Sequence, residues 1–197
     1  MKRDYRKTFN VLMAIIILYE WMQMFIGTNS LLSSSGFTSL KYFTVLSNLL
    51  EAFACILLVL NHRRAHLFKY IAATSVSLTF LVVMVFLGPI FGYPFMFKGT
   101  NFWFHLVIPV LSVFEFITLN QQTFTRKENT LVVLPMLIYG IGYVVNIVVN
   151  GLEGNDWYAF MLWGYPVGIL IFIIICSLTY LIGYILRDLN RRFKNAE

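Results

Sequence analysis

The stretch KYFTVLSNLLEAFACILLVL, Lys41 to Leu60, decides the reading of this chain. Its length and apolar content are those of a membrane-crossing helix, which needs about 20 mostly apolar residues. Yet Thr44, Ser47, Asn48 and Glu51 recur at spacings of three and four, so they share one helix face. A hydroxyl, an amide and a carboxylate turned to lipid are costly. That face therefore turns inward, toward a polar recess among other helices.

The rest of the chain agrees with a membrane setting. Apolar residues make up 59% and charged residues 12%, against roughly 25% charged in a soluble domain. The mean hydropathy is +0.75. These values exclude an ordinary soluble enzyme. Five further apolar runs are long enough to span, which predicts an all-α integral membrane bundle of six transmembrane helices. The spans run over about 8–27, 41–61, 67–88, 101–119, 130–150 and 159–186 and form one domain of 197 residues. The first follows a basic front and shows no small-residue cleavage site, so it reads as a retained signal anchor. The last is overlong and basic at its end, as in a helix that continues along anionic headgroups. Cys55 and Cys176 fall inside apolar runs and read as small core residues.

Charge sets the expected orientation. Of the 15 basic residues, 13 fall in the N-terminal segment, in and just after HRRAH, in NQQTFTRKEN and in the C-terminal tail. Lys69 is counted here with HRRAH. Lys41 and Lys98 lie on the other side. The positive-inside rule then places both termini in the cytoplasm of a multi-pass cell-membrane protein. The net charge of +6 is explained by this topology, and no nucleic-acid partner is expected. The outer connectors are short and aromatic, with Tyr93, Phe97, Trp103, Trp157 and Trp163 at the level of an interfacial belt.

Depth along the spans selects candidate chemistry. Thr44 lies about 5 Å and His105 about 6 Å below the outer ends of their spans, at 1.5 Å per residue. Glu20, Tyr143 and Asn146 share that outer half. Threonine is a weak nucleophile until a base takes its proton, and histidine is the usual base near neutral pH. Glu20 and Glu51 are candidates to orient the imidazole, and Asn48 to donate to a developing oxyanion. A threonine inside a span ordinarily bonds back to a carbonyl one turn earlier, and Ser47 and Asn48 commonly bind neighbouring helices. Glu115, near the inner end of its span, is expected to reach the cytoplasmic interface. Pro109, four residues after His105, is expected to kink the fourth span. No GxSxG, HExxH or phosphate-binding glycine loop occurs. His62 and His66 lie in a basic connector without acidic companions, so neither metal nor cofactor is expected.

At KYFTVLSNLL and FWFHLVIPVLSVFEF the sequence resembles the androgen-induced protein family, in particular its bacterial branch of small six-span proteins. The shared features are an aromatic residue and Thr followed four residues on by Asn, and a span start with His followed by Pro. Animal members are threonine hydrolases of fatty acid esters of hydroxy fatty acids. The resemblance implies Thr44 as nucleophile and His105 as its partner. Outside these stretches the chain departs from the animal members, so the resemblance implies a chemistry and not a particular lipid.

The leading expectation is an intramembrane lipid-ester hydrolase using Thr44 and His105, with a fatty acyl ester entering sideways from the bilayer. Asn48, Glu51, Glu20, Ser47, Tyr143 and Asn146 are candidates for support or substrate binding. A small transporter or lipid-binding protein, with Glu20, Glu51 and His105 holding a proton or solute, is the alternative. A scaffold whose polar residues only join helices is the third reading.

Overall fold

The computed structural model describes residues 2–26, 36–120 and 122–196. Among these residues the chain is all-helical, without strand. Six long helices carry it: α1 (Lys2–Ile26), α2 (Phe43–Val59), α3 (Ala65–Phe91), α4 (Thr100–Thr118), α5 (Leu134–Asn150) and α6 (Tyr165–Ala196). Five stretches are long and apolar enough to cross a membrane: α1, α3, α4, α6, and α5 joined to the short helix Arg126–Leu131. With 17 residues, α2 is shorter and covers about 25 Å.

Local chemistry sets the breaks. A 3₁₀ turn at Thr38–Lys41 precedes α2, and Tyr42 between them is extended. Asn61 adopts φ 54° just after α2, a left-handed conformation that asparagine tolerates. Thr125 and Glu128 form a reciprocal capping box that opens the helix Arg126–Leu131. Gly164, at φ 89°, turns the chain into α6, whose second residue is Pro166. The sixth helix therefore begins at Tyr165 and not at 159. The intervening residues fold back over the bundle, burying Tyr158, Phe160 and Met161. Gly27 and residues 28–35 of the first outer connector, and Gln121 of an inner one, lie outside the described residues.

Two helices widen where the sequence carries proline. A π-helical turn occupies Val83–Leu87 in α3 and another Trp103–Val107 in α4. Pro89 and Pro109 follow each by two residues. Proline has no N–H to give the carbonyl four residues back, here Val85 and His105, and the helix loosens at that point.

Helix α3 is central, in contact with α2, α4, α5 and α6, while α1 packs on α2 and α4. One buried cluster joins Met13, Ile17 and Met24 of α1 to Ala52 and Cys55 of α2 and Phe104 and Ile108 of α4. At the end of the bundle near Arg64, Tyr70 stacks on Phe116 and Phe124, and its hydroxyl meets the Gly183 carbonyl at 2.8 Å. Large apolar side chains cover the outside of α5, such as Ile138, Val148 and Val149 at 68%, 67% and 73% exposure. A water-soluble surface does not carry such a patch, whereas a lipid-facing one does.

Two charged residues depart from their expected places. Lys69 is fully buried beside Glu51 and Glu115, so it is an interior partner and not a marker of the cytoplasmic surface. Glu115 is fully buried as well and does not reach the interface.

Candidate functional site

Thr44 is the second residue of α2. Threonines further along helices here bond back to the carbonyl four residues earlier: Thr74, Thr79, Thr118 and Thr179 all do so. The Thr44 hydroxyl makes no such bond among the described residues, because extended Tyr42 interrupts the turn before it. The hydroxyl lies instead beside that of Tyr158, at a helix N-terminus where the backbone dipoles favour negative charge.

His105 sits in the π-helical turn of α4, 1% exposed. Its Nδ1 lies 2.7 Å from the Met96 carbonyl. A carbonyl only accepts, so Nδ1 carries the proton and Nε2 holds the lone pair. Nε2 is buried and has no hydrogen-bond partner among the described residues. The imidazole is thereby set in the tautomer of a base. Met96 belongs to the helical turn Tyr93–Met96, bracketed by Gly92 and Gly99 at positive φ.

Thr44 and His105 line one cavity of about 180 Å³. Tyr42, Leu87, Phe95, Met96, Trp157 and Tyr158 complete most of its wall. Tyr158 reaches it from the connector before α6. Its oxygen accepts the Phe43 N–H at 2.7 Å, and its hydroxyl lies beside those of Thr44 and Tyr139. Trp157 Nε1 donates to the Tyr139 hydroxyl at 3.0 Å, which donates to the Lys41 carbonyl at 2.7 Å. These bonds clamp the connector onto the start of α2. The Lys41 ammonium rests over the Tyr42 and Trp157 rings, 5.1 and 5.3 Å from their centroids.

The other candidates hold this cavity from outside it. Asn48 Nδ2 donates to the Thr44 carbonyl at 2.7 Å and to the Phe104 carbonyl at 3.2 Å. Both amide hydrogens are thus used, which corrects the expectation of Asn48 as an oxyanion donor. It joins the backbone of Thr44 to that of the residue before His105. Ser47 Oγ contacts the Thr44 carbonyl and Thr79 Oγ1, both at 3.0 Å, and ties α2 to α3. Glu20 accepts from Thr100 Oγ1 at 3.1 Å and anchors the first turn of α4 to α1. The Tyr143 hydroxyl donates to Asp156, whose carboxylate also accepts from the Phe160 and Met161 amides, both at 2.9 Å. Asn146 donates to Asn155 Oδ1 at 3.1 Å. Tyr143 and Asn146 therefore fasten the connector that carries Tyr158.

Glu51 belongs to a second polar centre, seven residues or about 10 Å further along α2. It pairs with Lys69, which lies 3.2 Å from Glu115 Oε2 and 3.5 Å from Cys55 Sγ. Asn10 Nδ2 donates to Glu115 Oε1 at 3.1 Å. All these side chains are fully buried, and they join α1, α2, α3 and α4. Neither Glu20 nor Glu51 orients His105; the Met96 carbonyl does. Sequence reasoning missed that carbonyl, Tyr158 and the partnership of Lys69. The run Asn155-Asp156 before Trp157 and Tyr158 is a turn-forming signal for a folded connector. For Met96 there was no residue-type signal, since the acceptor is backbone.

The chain matches no protein-family model, no curated protein and no solved structure.

Proposed function

We propose that this chain is a six-span cell-membrane protein with cytoplasmic termini that hydrolyses fatty acyl esters through Thr44 and His105. The observation that carries the reading is one cavity lined by both side chains, with His105 held through Nδ1 and its Nε2 unpartnered. The resemblance at KYFTVLSNLL and FWFHLVIPVLSVFEF points to the same two residues.

Nε2 of His105 takes the Thr44 Oγ1 proton as the oxygen attacks the ester carbonyl carbon. The carbonyl π pair moves onto oxygen, and the Tyr158 O–H, whose oxygen accepts from the Phe43 N–H at the start of α2, donates to the developing charge. The tetrahedral adduct collapses, the ester C–O bond breaks, and His105 returns its proton to the leaving alkoxide. Water then attacks acyl-Thr44, again losing a proton to His105. Collapse frees the fatty acid and returns that proton to Thr44.

The solute-site alternative is weaker. Glu20, Glu51 and His105 are engaged separately, with Thr100, Lys69 and the Met96 carbonyl. The test is labelling of the purified protein in lipid nanodiscs by a fluorophosphonate probe, alongside turnover of a p-nitrophenyl ester. Wild type is expected to label and turn over. Thr44→Ala and His105→Ala should lose both while keeping their thermal transition, and Thr44→Ser should retain part. A folded wild-type protein that neither labels nor hydrolyses overturns the reading.

A further inference from the structure

Resting on the hydrolase reading, we infer that the acyl tail of the substrate leaves the Thr44 cavity through a neck between α3 and α6, lodging in an apolar groove on the lipid-facing side. The enzyme is then selective for a single long, linear acyl chain, and Val82 and Ile175 set that selectivity.

Three spaces share lining residues in series. The Thr44–His105 cavity shares Thr44, Leu87 and Tyr158 with a narrow space of about 30 Å³. Leu78, Met136 and Phe160 also line that neck. Its one hydroxyl besides those of Thr44 and the tyrosines, on Thr79, is occupied by Ser47 and the Ser75 carbonyl. The neck in turn shares Val82 and Ile175 with a groove of about 370 Å³. Val85 and Phe86 of α3 and Ile174 and Leu178 of α6 line the groove, without a polar side chain. Val85 is 69% exposed and Ile174 47%, so the groove opens toward the surrounding lipid.

Direction argues for an acyl tail as the occupant. Thr44 is at the start of α2, about 5 Å from Lys41 and its aromatic belt. Val82 lies nine residues before the end of α3 and Ile175 ten residues after the start of α6, each about 14 Å from the same end of the bundle. The path therefore begins at headgroup depth and descends toward the midplane. An ester of the outer leaflet has that layout, with a polar carbonyl above and a hydrocarbon tail below. A polar solute would gain nothing from the lower two spaces. At about 30 Å³ the neck is closed to a chain until the Val82 and Ile175 side chains turn aside, and it leaves no room for a branched one.

The experiment compares p-nitrophenyl butyrate with p-nitrophenyl palmitate for wild type, Val82→Trp, Ile175→Trp and the control Val148→Trp in nanodiscs. Val148 lies on the exposed side of α5, away from the groove. Both neck variants are expected to lose palmitate kcat/KM by about tenfold or more while butyrate turnover holds within about twofold. The control should change neither. Equal losses for both esters, or no loss for palmitate, overturn the neck. A second arm needs no turnover: Thr44→Ala protein is irradiated with a palmitoyl ester bearing a diazirine near its methyl end. Adducts within residues 81–86 and 171–178 support the groove, and adducts confined elsewhere overturn it. A failure of the hydrolase reading itself is distinct, since it shows as wild-type protein inactive on both esters.

Discussion

Single side chains here divide into those that line the Thr44–His105 cavity and those that hold the backbones of Thr44 and His105 in place. Asn48 is of the second kind, since one amide binds the Thr44 carbonyl and the carbonyl next to His105. Asn48→Ala is expected to lower kcat by about tenfold to a hundredfold, because small misplacements of a reacting pair are expensive. KM should stay nearly constant, and a kcat-against-KM comparison checks this; a raised KM with unchanged kcat would place Asn48 at the substrate instead. Lys69 is a different case. Removing its ammonium strands two buried carboxylates, so Lys69→Met should cost about 3–5 kcal/mol of stability. Replacing Glu51, Lys69 and Glu115 together by Gln, Met and Gln should recover most of it, because apolar or neutral substitutes for a whole buried ion cluster are tolerated. Denaturant titration in detergent measures both. A triple variant as unstable as the single one would mean that the cluster is needed for more than charge balance.

At the scale of helices, each π turn pairs with a proline two residues on, and both turns border the Thr44 cavity, through Leu87 and His105. Pro109→Ala restores an N–H that can reach the His105 carbonyl and close the turn to regular α-helix. That change swings the imidazole about the helix axis and away from the Met96 carbonyl. Labelling by the fluorophosphonate should fall sharply while helix content, read by circular dichroism, stays level or rises. Retained labelling would show that the widened turn does not position His105. Helices of this kind were legible because apolar runs of span length have few alternatives. The start of α6 was misplaced by six residues, because Ala159–Leu162 is as apolar as the span it precedes, and only Gly164 and Pro166 mark the true start. Lys69 was misread for its nearness to HRRAH, although Ala65, Ala72, Ala73 and Val76 recur around it at helical spacing and are all buried. The similar depth of Thr44 and His105 was legible, and both line one cavity, while their surroundings were not, since Met96 acts through backbone and Tyr158 arrives from a connector.

For the whole molecule the decisive matter is which end of the bundle faces out, because the Thr44 cavity lies at the end carrying Lys41 and Lys98 and the Lys69 centre lies further from it. Arg63 and Arg64, both exposed, cluster at the opposite end with Arg126. A membrane potential and anionic cytoplasmic lipids favour keeping that basic end inside. Cysteine accessibility in intact cells tests this directly. Native Cys55 is buried and Cys176 half-buried within helices, so a membrane-impermeant maleimide should leave the parent protein unmodified. Lys98→Cys is expected to react from outside, whereas Arg64→Cys and Arg126→Cys should react only after permeabilisation. The reverse pattern would put the Thr44 cavity at the cytoplasmic leaflet and change the pool of esters available to it. Reaction of Lys98→Cys and Arg64→Cys from the same side would be more damaging, since α3 then fails to cross, and the descending path from Thr44 past Val82 would no longer run with the lipid tails.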